Sequence, residues 1–499
     1  MGNLGKINHF VVLMLENRSF DHLLGALKAQ NAAVAGALDN EFSNRADPAS
    51  PNSPSIGTGP VTANAMPFDP GHEFVDVQIQ LYGRTAAAER KPAPRTDPAT
   101  MSGFVYSAEN AVQDQSKAAM VMQCFHPEKL PVITTLATEF ALFNYWHSSL
   151  PGPTWPNRFF VHAATSGGLS DSPKDPDILA GFSFPAGTIY ERVETAGKSW
   201  RIYHDGLPQT AGIDSLRSEY IDIFTKNFRD MSSFEEDLKS PVLPEYVFIE
   251  PRYDTGHEYV NGNSMHPRND VTHGEALVKR VYETIRASKF WADTMLVVTF
   301  DEHGGFFDHV PPPAATAPGG DQRYRDPANN FDFDLLGVRV PAIVVSPYTQ
   351  KGTVVGHLPQ ESYDHTSILA TVVKRFQRAA LTHRDADART LEGALNQDSA
   401  RLSPDEAPLT LPMPATSMMT RFLDLFRQSP VAPDAPLSTS QRVQLTLAHA
   451  CDLQTLDPAS KVEAHRRYLG VRRQQDAADY VQEVENRIRD RRENKPMLK

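Results

Sequence analysis

The residues of this chain best placed to do chemistry are polar pairs that stand where apolar runs stop. His9–Leu15 (HFVVLML) runs straight into Glu16-Asn17, and Met295–Phe300 (MLVVTF) runs into Asp301-Glu302. A carboxylate beside an amide at one such end, and two carboxylates at another, are oxygen donors of the kind that hard cations take. If these ends converge, the carboxylates repel one another, and a divalent cation resolves the repulsion. Gly304-Gly305 follow the second pair and let the backbone come close to a ligand. Each pair also has a plain structural reading. Asp301-Glu302 fits a solvated turn, and Asn17 or Ser19 fits the cap of a helix running to Leu24. The Asn17-Arg18-Ser19 sequon is read as chance.

Thr154 stands between prolines in Pro151–Arg158 (PGPTWPNR), just after the strand-like run Phe140–Tyr145. Pro156 suits the first turn of a helix over Asn157–Ala164. A hydroxyl at a helix N-terminus faces backbone N–H groups, which favour an anion such as phosphate. Spacing alone favours an N-cap role for Thr154, and a capping hydroxyl can also be a nucleophile. Of the 17 histidines, three stand out by context. His72 follows the turn Asp69-Pro70-Gly71, His204 ends a strand-like run, and His266 precedes Pro267 and the helix carrying His273. Neither His72-Glu73 nor His257-Glu258 completes H-E-x-x-H. The G-x-S-x-G elbow, the Walker A loop and the dinucleotide glycine fingerprint are all missing. These absences weigh against a thermolysin-like protease, a common α/β-hydrolase, a P-loop nucleotidase and a nicotinamide enzyme.

The elements that must position these residues are short apolar strands with helices between them. Ser199–Tyr203 leads to His204-Asp205, Tyr246–Ile249 to Glu250-Pro251, and Val340–Val345 to Ser346-Pro347. Continuous runs of this kind suit parallel strands covered on both faces. Asp270–Trp291 carries Ala276, Val278, Val281 and Ile285 at near-helical spacing, and Tyr363–Phe376 reads as another helix. The alternation predicts an α/β fold with a central, mainly parallel sheet flanked by helices. Ligands of such folds bind outside the carboxyl ends of the strands, where Glu16, Asn17, His204, Asp301 and Glu302 should lie. Asn31–Gly71 and Pro311–Asn330 read as surface insertions. Phe68, Phe74 and Phe306-Phe307 suit either a lipid-facing rim or the core. Residues 1–380 are expected to form the catalytic domain and 381–499 a helical C-terminal extension. Helices are expected there near Ser417–Gln428 and Ser460–Arg492, in a structural role.

Composition bounds the partners. With 499 residues the chain can bury a sizeable core, and its 40% apolar and 22% charged content is ordinary for a globular protein. The net charge of −12 argues against nucleic acid and against strong attraction to anionic lipid. Zwitterionic lipid and small phosphate esters stay open, because a local site can be positive. Cys124 and Cys451 are expected to be free thiols. No run approaches the length of a transmembrane helix, though transient contact with a membrane surface is compatible with this composition. Met1–Asn8 lacks an apolar signal core. As sequenced, the chain is therefore expected in the cytoplasm, or outside it after removal of a signal or by another route.

Four segments together resemble a known family. They are Glu16–Gly25 (ENRSFDHLLG), Pro151–Arg158 (PGPTWPNR), Asp301–Pro313 (DEHGGFFDHVPPP) and Gly337–Pro347 (GVRVPAIVVSP). In order and content they are similar to the phosphoesterase family of bacterial phosphatidylcholine-type phospholipases C, plant non-specific phospholipase C and a bacterial acid phosphatase. The resemblance spans roughly residues 6–378. It implies an alkaline phosphatase-like fold and one divalent metal ion, with Ca, Mg or Mn favoured. It places Thr154 at the nucleophile position and Glu16, Asn17, Thr154, Asp301 and Glu302 at the metal site. His72, His204 and His266 then hold the phosphoryl oxygens and assist the leaving group. The implied activity is a phospholipase C acting on phospholipid through a phosphothreonine. A phosphomonoester-cleaving acid phosphatase and an inactive phosphoester-binding module are the alternatives.

Overall fold

The apolar runs become the strands of one eight-stranded sheet in the computed structural model, which describes residues 2–83, 99–222, 224–257, 259–319, 326–415 and 434–493. In chain order the strands are β1 (His9–Leu15), β2 (Ala141–Phe143), β3 (Trp200–His204), β4 (Phe228–Asp230), β5 (Tyr246–Glu250), β6 (Thr294–Phe300), β7 (Ala342–Val345) and β8 (Thr353–Val355). Across the sheet they run β8-β2-β7-β6-β1-β5-β3-β4. Every neighbouring pair is parallel except those made by β7, which is antiparallel to β6 and β2. The expectation of a mainly parallel α/β sheet is met, with β7 as the exception. Because β7 runs backward, Ser346-Pro347 leave the sheet at the edge opposite to Glu16 and Asp301.

β1 and β6 are buried along their whole length. Both faces are covered, so their sequences are continuously apolar instead of alternating. The helices that matter to the site are α1 (Phe20–Leu24), α2 (Phe74–Tyr82), α3 (Thr154–Ala163), α4 (Val271–Ala287), α5 (Thr366–Arg375), α6 (Thr439–Thr455), α7 (Pro458–Gly470) and α8 (Gln474–Glu493). Asp270 caps α4 by accepting from the Thr272 amide. Ser438 and Gln441 form a capping box that starts α6.

The expected helix over Ser460–Arg492 is two helices, because α7 stops at Gly470 and α8 starts at Gln474. Nothing in the sequence reading anticipated α6. Its Val443-Gln444-Leu445-Thr446-Leu447 stretch alternates like a strand, yet Val443, Leu445, Thr446 and Leu447 are all buried. The helix expected at Ser417–Gln428 lies outside the described residues. The C-terminal helices share the main apolar core, since Val443, Leu447 and Val484 belong to the same buried cluster as Val11 and Val297. Phe68, Phe74, Phe306 and Phe307 are core residues and form no lipid-facing rim. Cys124 and Cys451 are free and buried. Among the described residues, no helix is long and apolar enough to cross a membrane.

Candidate active site

Register brings the two polar pairs together. β1 and β6 pair in parallel with Leu15 opposite Phe300, so Glu16-Asn17 and Asp301-Glu302 leave the sheet side by side. The Asn17 amide N–H donates to Asp301 Oδ1 at 2.9 Å, and its side-chain Nδ2 donates to Glu302 Oε1. Asn17 takes a left-handed φ of 57°, and Gly304 one of 64°. A Cβ on Gly304 would stand 2.2 Å from the Asn17 carbonyl oxygen, so only glycine lets the two segments meet here. Ser19, not Asn17, caps α1 by accepting from the His22 amide. The Asn17 side chain is therefore left to the site.

Thr154 is the first residue of α3, and Pro153 holds the cap position without a side-chain bond. The helix starts three residues earlier than expected, and Thr154 is no N-cap. Its hydroxyl lies 3.5 Å from Asn17 Oδ1, at hydrogen-bonding range. One turn further on is Arg158, a buried residue that sequence reasoning quoted but did not assign. Positions four apart on a helix share a face, and that spacing was the available signal. Arg158 Nε donates to Asp301 Oδ2 at 3.0 Å, and its Nη2 donates to the Leu15 and Met14 carbonyls at 3.1 and 3.3 Å. One guanidinium thus ties α3 to the ends of β1 and β6.

Burial disfavours the charged forms of the acidic side chains here. Burial and then repulsion from Asp301 push the Glu16 carboxyl up to about 8, although Arg158 pulls it down. Burial pushes Asp301 up to about 6, with Arg158 opposing and Glu302 adding to the rise. Glu16 Oε2 is buried with no hydrogen-bond partner among the described residues. Three neighbouring carboxylates, an amide oxygen and a hydroxyl are the oxygen chemistry a hard divalent cation takes, although Asp301 and Glu302 already accept protein hydrogen bonds.

A different group, Asp21, Asp308 and His309, brings three ligand atoms within 4.8 Å of one another. It has metal-like spacing, but Arg339 already donates to Asp308 Oδ1 at 2.8 Å and to Asp21 Oδ1 at 3.1 Å. That guanidinium supplies the positive charge the two carboxylates require. The sequence reading had not singled out this cluster.

Glu16, Asn17, His72, Thr154 and His266 line one cavity of about 220 Å³. Burial draws the His72 imidazole down, but Glu302, Asp69 and Glu73 outweigh it and push it up to about 10. His266 is stacked on Tyr259 with ring centroids 3.4 Å apart. Its Nδ1 accepts from the Arg268 amide at 3.3 Å, and its Nε2 faces Asp69 Oδ1 at 3.5 Å. A proton is thereby assigned to Nε2. Asp69 is pulled down to about 2 by His266 and His72 despite its burial. It belongs to a turn noted in the sequence for His72 alone.

His204 does not join this group. It ends β3, which is separated from β1 by β5, so two strand spacings of roughly 10 Å in total intervene. Its Nδ1 bonds the Gly206 carbonyl at 2.8 Å, and it lines a separate cavity with Arg492. Strand-end position alone could not reveal that β5 would be inserted between.

The C-terminal extension reaches the site. Thr439, Ser440, Val443, Gln444 and Leu447 of α6 line the same cavity as Thr154. The purely structural role expected for this region is therefore too narrow.

Residues 7–378 match the Phosphoesterase family. The chain belongs to this family. Among the relatives of this phosphoesterase, non-specific phospholipase C3 of Arabidopsis thaliana is 41% identical over 81% of this chain and 76% of its own length. Non-specific phospholipase C5 of the same plant is 37% identical over 91% and 87%. Phospholipase C A of Mycobacterium tuberculosis is 28% identical over 75% and 74%. A solved structure of an alkaline phosphatase superfamily protein from Vibrio parahaemolyticus matches 59% of this phosphoesterase and 78% of its own chain, at 14% identity and a TM-score of 0.31.

Proposed function

We propose that this phosphoesterase is a phospholipase C, cleaving phosphatidylcholine-type phospholipids to diacylglycerol and a phosphorylated head group. The observation that carries the reading is the placement of Thr154. Its hydroxyl faces Asn17 at the rim of the acidic strand ends, inside a cavity that Val443 and Leu447 of α6 also line with apolar surface. An aqueous phosphate pocket alone would not call for that surface.

Glu16, Asn17, Thr154, Asp301 and Glu302 would hold the divalent cation. When bound, the ion supplies a lowered hydroxyl pKa and charge stabilisation at the phosphoryl group. Thr154 passes its hydroxyl proton to water and attacks phosphorus in line, and the bond to the diacylglycerol oxygen breaks, leaving a head-group phosphodiester on the threonine. His72, charged beside its carboxylates, stabilises the equatorial oxygens. His72, the charged imidazole of the cavity, also gives its proton to the departing diacylglycerol oxygen, while Asp69 orients His266, which is neutral with its proton on Nε2. Water then attacks phosphorus, the Thr154 oxygen leaves, and the phosphorylated head group is released. Arg158 positions Asp301 without touching substrate. His204, in its separate cavity, has no step in this scheme.

The test is product identification. Phosphatidylcholine vesicles and a soluble aryl phosphate are incubated separately with the enzyme and divalent cation. Diacylglycerol from the vesicles supports the reading. Phosphate released from the monoester with no diacylglycerol from the vesicles replaces it by an acid phosphatase. No product from either leaves a binding module.

A further inference from the structure

The second cavity, where His204 lies, has a charge unlike that of the whole chain. It is formed between the ends of β3 and β4 and the last helix, α8, and encloses about 640 Å³. Lys226, Arg229, Arg252, Arg489 and Arg492 line it, against Asp205, Asp230 and Glu485. In a protein of net charge −12, this is a local excess of cations.

Each of the three carboxylates accepts a bond from a neutral donor, and Arg489 favours the charged forms of Asp230 and Glu485, so the lining keeps an excess of two cations, five against three. Asp205 accepts from Asn263 Nδ2 at 2.9 Å, Asp230 from the Ser232 amide at 2.8 Å, and Glu485 from the Leu207 amide at 2.8 Å. The cations have donors to spare. Arg492 spans the inner end, donating to the Tyr220 carbonyl and lying 3.4 Å from His204 Nε2, while its Nε is buried with no partner among the described residues. Arg229 has one ion pair, with Asp237 at 3.3 Å, and Arg252 one side-chain bond, from Nε to the Asn261 carbonyl at 3.0 Å. Arg489 contacts Asn486, a neutral group. His204 adds no charge near neutrality, since burial and then Arg492 draw it down to about 4.

Forked guanidiniums around a recess match the geometry of phosphate oxygens. The rings of Tyr220 and Phe228 and the Ile488 side chain give the same recess an apolar side. We propose that this cavity is a second ligand site, which takes a small organic phosphate on Lys226, Arg229, Arg252, Arg489 and Arg492 and packs its organic portion on Tyr220, Phe228 and Ile488. The site is separate from the catalytic cavity but continuous with it in the chain. His204–Gly206 line the one, and Leu207 and Gln209 line the other.

The test titrates the full-length protein with inorganic phosphate and with glycerol 3-phosphate by calorimetry, beside a Lys226→Glu/Arg489→Glu variant. Both positions are exposed, so the variant should fold, and a Lys226→Ala/Arg489→Ala pair is the milder control. The expected result is one fewer equivalent of bound phosphate, or binding roughly tenfold weaker at that equivalent, in the charge-reversed protein. Glycerol 3-phosphate should bind this equivalent more tightly than inorganic phosphate, and hydrolysis of a soluble aryl ester should be unchanged. Equal stoichiometry and affinity in parent and variant would overturn the proposal. So would a Lys226- and Arg489-dependent response to phosphatidate-containing vesicles with none to the soluble phosphates, since the site would then read a lipid surface.

Discussion

Replacing Arg158 by Met tests how the site balances its charges. The substitution keeps the length of the side chain and removes its charge and its donors. Asp301 loses the 3.0 Å bond from Nε, and the carbonyls of Leu15 and Met14 lose Nη2. Breaking a buried ion pair from one side costs about 3–5 kcal/mol. Asp301 and Glu16 are raised by burial already, and losing Arg158 raises them further. The pair exists only while Asp301 is ionised, above about 6. The deficit should therefore be largest near pH 8 and shrink as pH falls through that value and the carboxyl takes its own proton. Denaturant unfolding in chelator, at pH 8 and pH 5, measures both quantities. Divalent cation at about a hundred times its dissociation constant should return about 2.7 kcal/mol at pH 8. Stability within about 1 kcal/mol of the parent at pH 8, or a deficit independent of pH, would refute this account of Arg158.

Thr154→Ala should abolish diacylglycerol release while leaving the unfolding midpoint close to the parent's, because the hydroxyl makes only a 3.5 Å contact; turnover near the parent rate defeats its assignment as nucleophile. Chelation should remove activity and lower thermal stability together, and re-addition of Ca, Mg or Mn salts should restore both, read by scanning calorimetry beside the assay. Val443→Asp with Leu447→Asp should weaken hydrolysis of phosphatidylcholine vesicles roughly tenfold more than that of a soluble ester, and an equal loss on both substrates argues against a lipid-facing wall. Glu275 on α4 accepts from the Ile133 amide at 2.8 Å, but its other carboxyl oxygen is buried without a partner among the described residues, and burial pushes it up to about 8. Its native form holds a proton that the unfolded chain has lost, so stability falls as pH rises from about 4.5 to 8. Glu275→Gln should flatten that fall and gain a few kcal/mol at pH 8, measured by urea unfolding.

Much of the site was readable because the fold places chemistry at the ends of buried strands. Glu16-Asn17 and Asp301-Glu302 ended the two most continuous apolar runs, and these proved to be the central neighbours β1 and β6. What could not be read was lateral order. His204 ends a strand as clearly as Glu16 does, and only the insertion of β5 separates them. Direction was hidden as well, since β7 is as apolar as the strands beside it and runs antiparallel to both. Arg158 and Asp69 were missed because each acts on another site residue, by tethering Asp301 or by facing His266. α6 was missed because its apolar residues alternate locally, and its place over the cavity depends on contacts with distant parts of the chain.

The first strand sits at the middle of the sheet. Its neighbour β6 follows hundreds of residues later, and the Asn17–Glu302 bond closes a separation of 285 residues. During synthesis, β1 leaves the ribosome with neither partner available. An apolar HFVVLML segment must wait until β5 and β6 have emerged. Loop closure over such distances is slow, and the exposed segment is open to wrong pairing in the interval. The contact that assembles the acidic site is thus also a checkpoint in biogenesis. An N-terminal fragment that stops before Glu302 lacks half of the proposed metal site and leaves the first strand without its β6 neighbour.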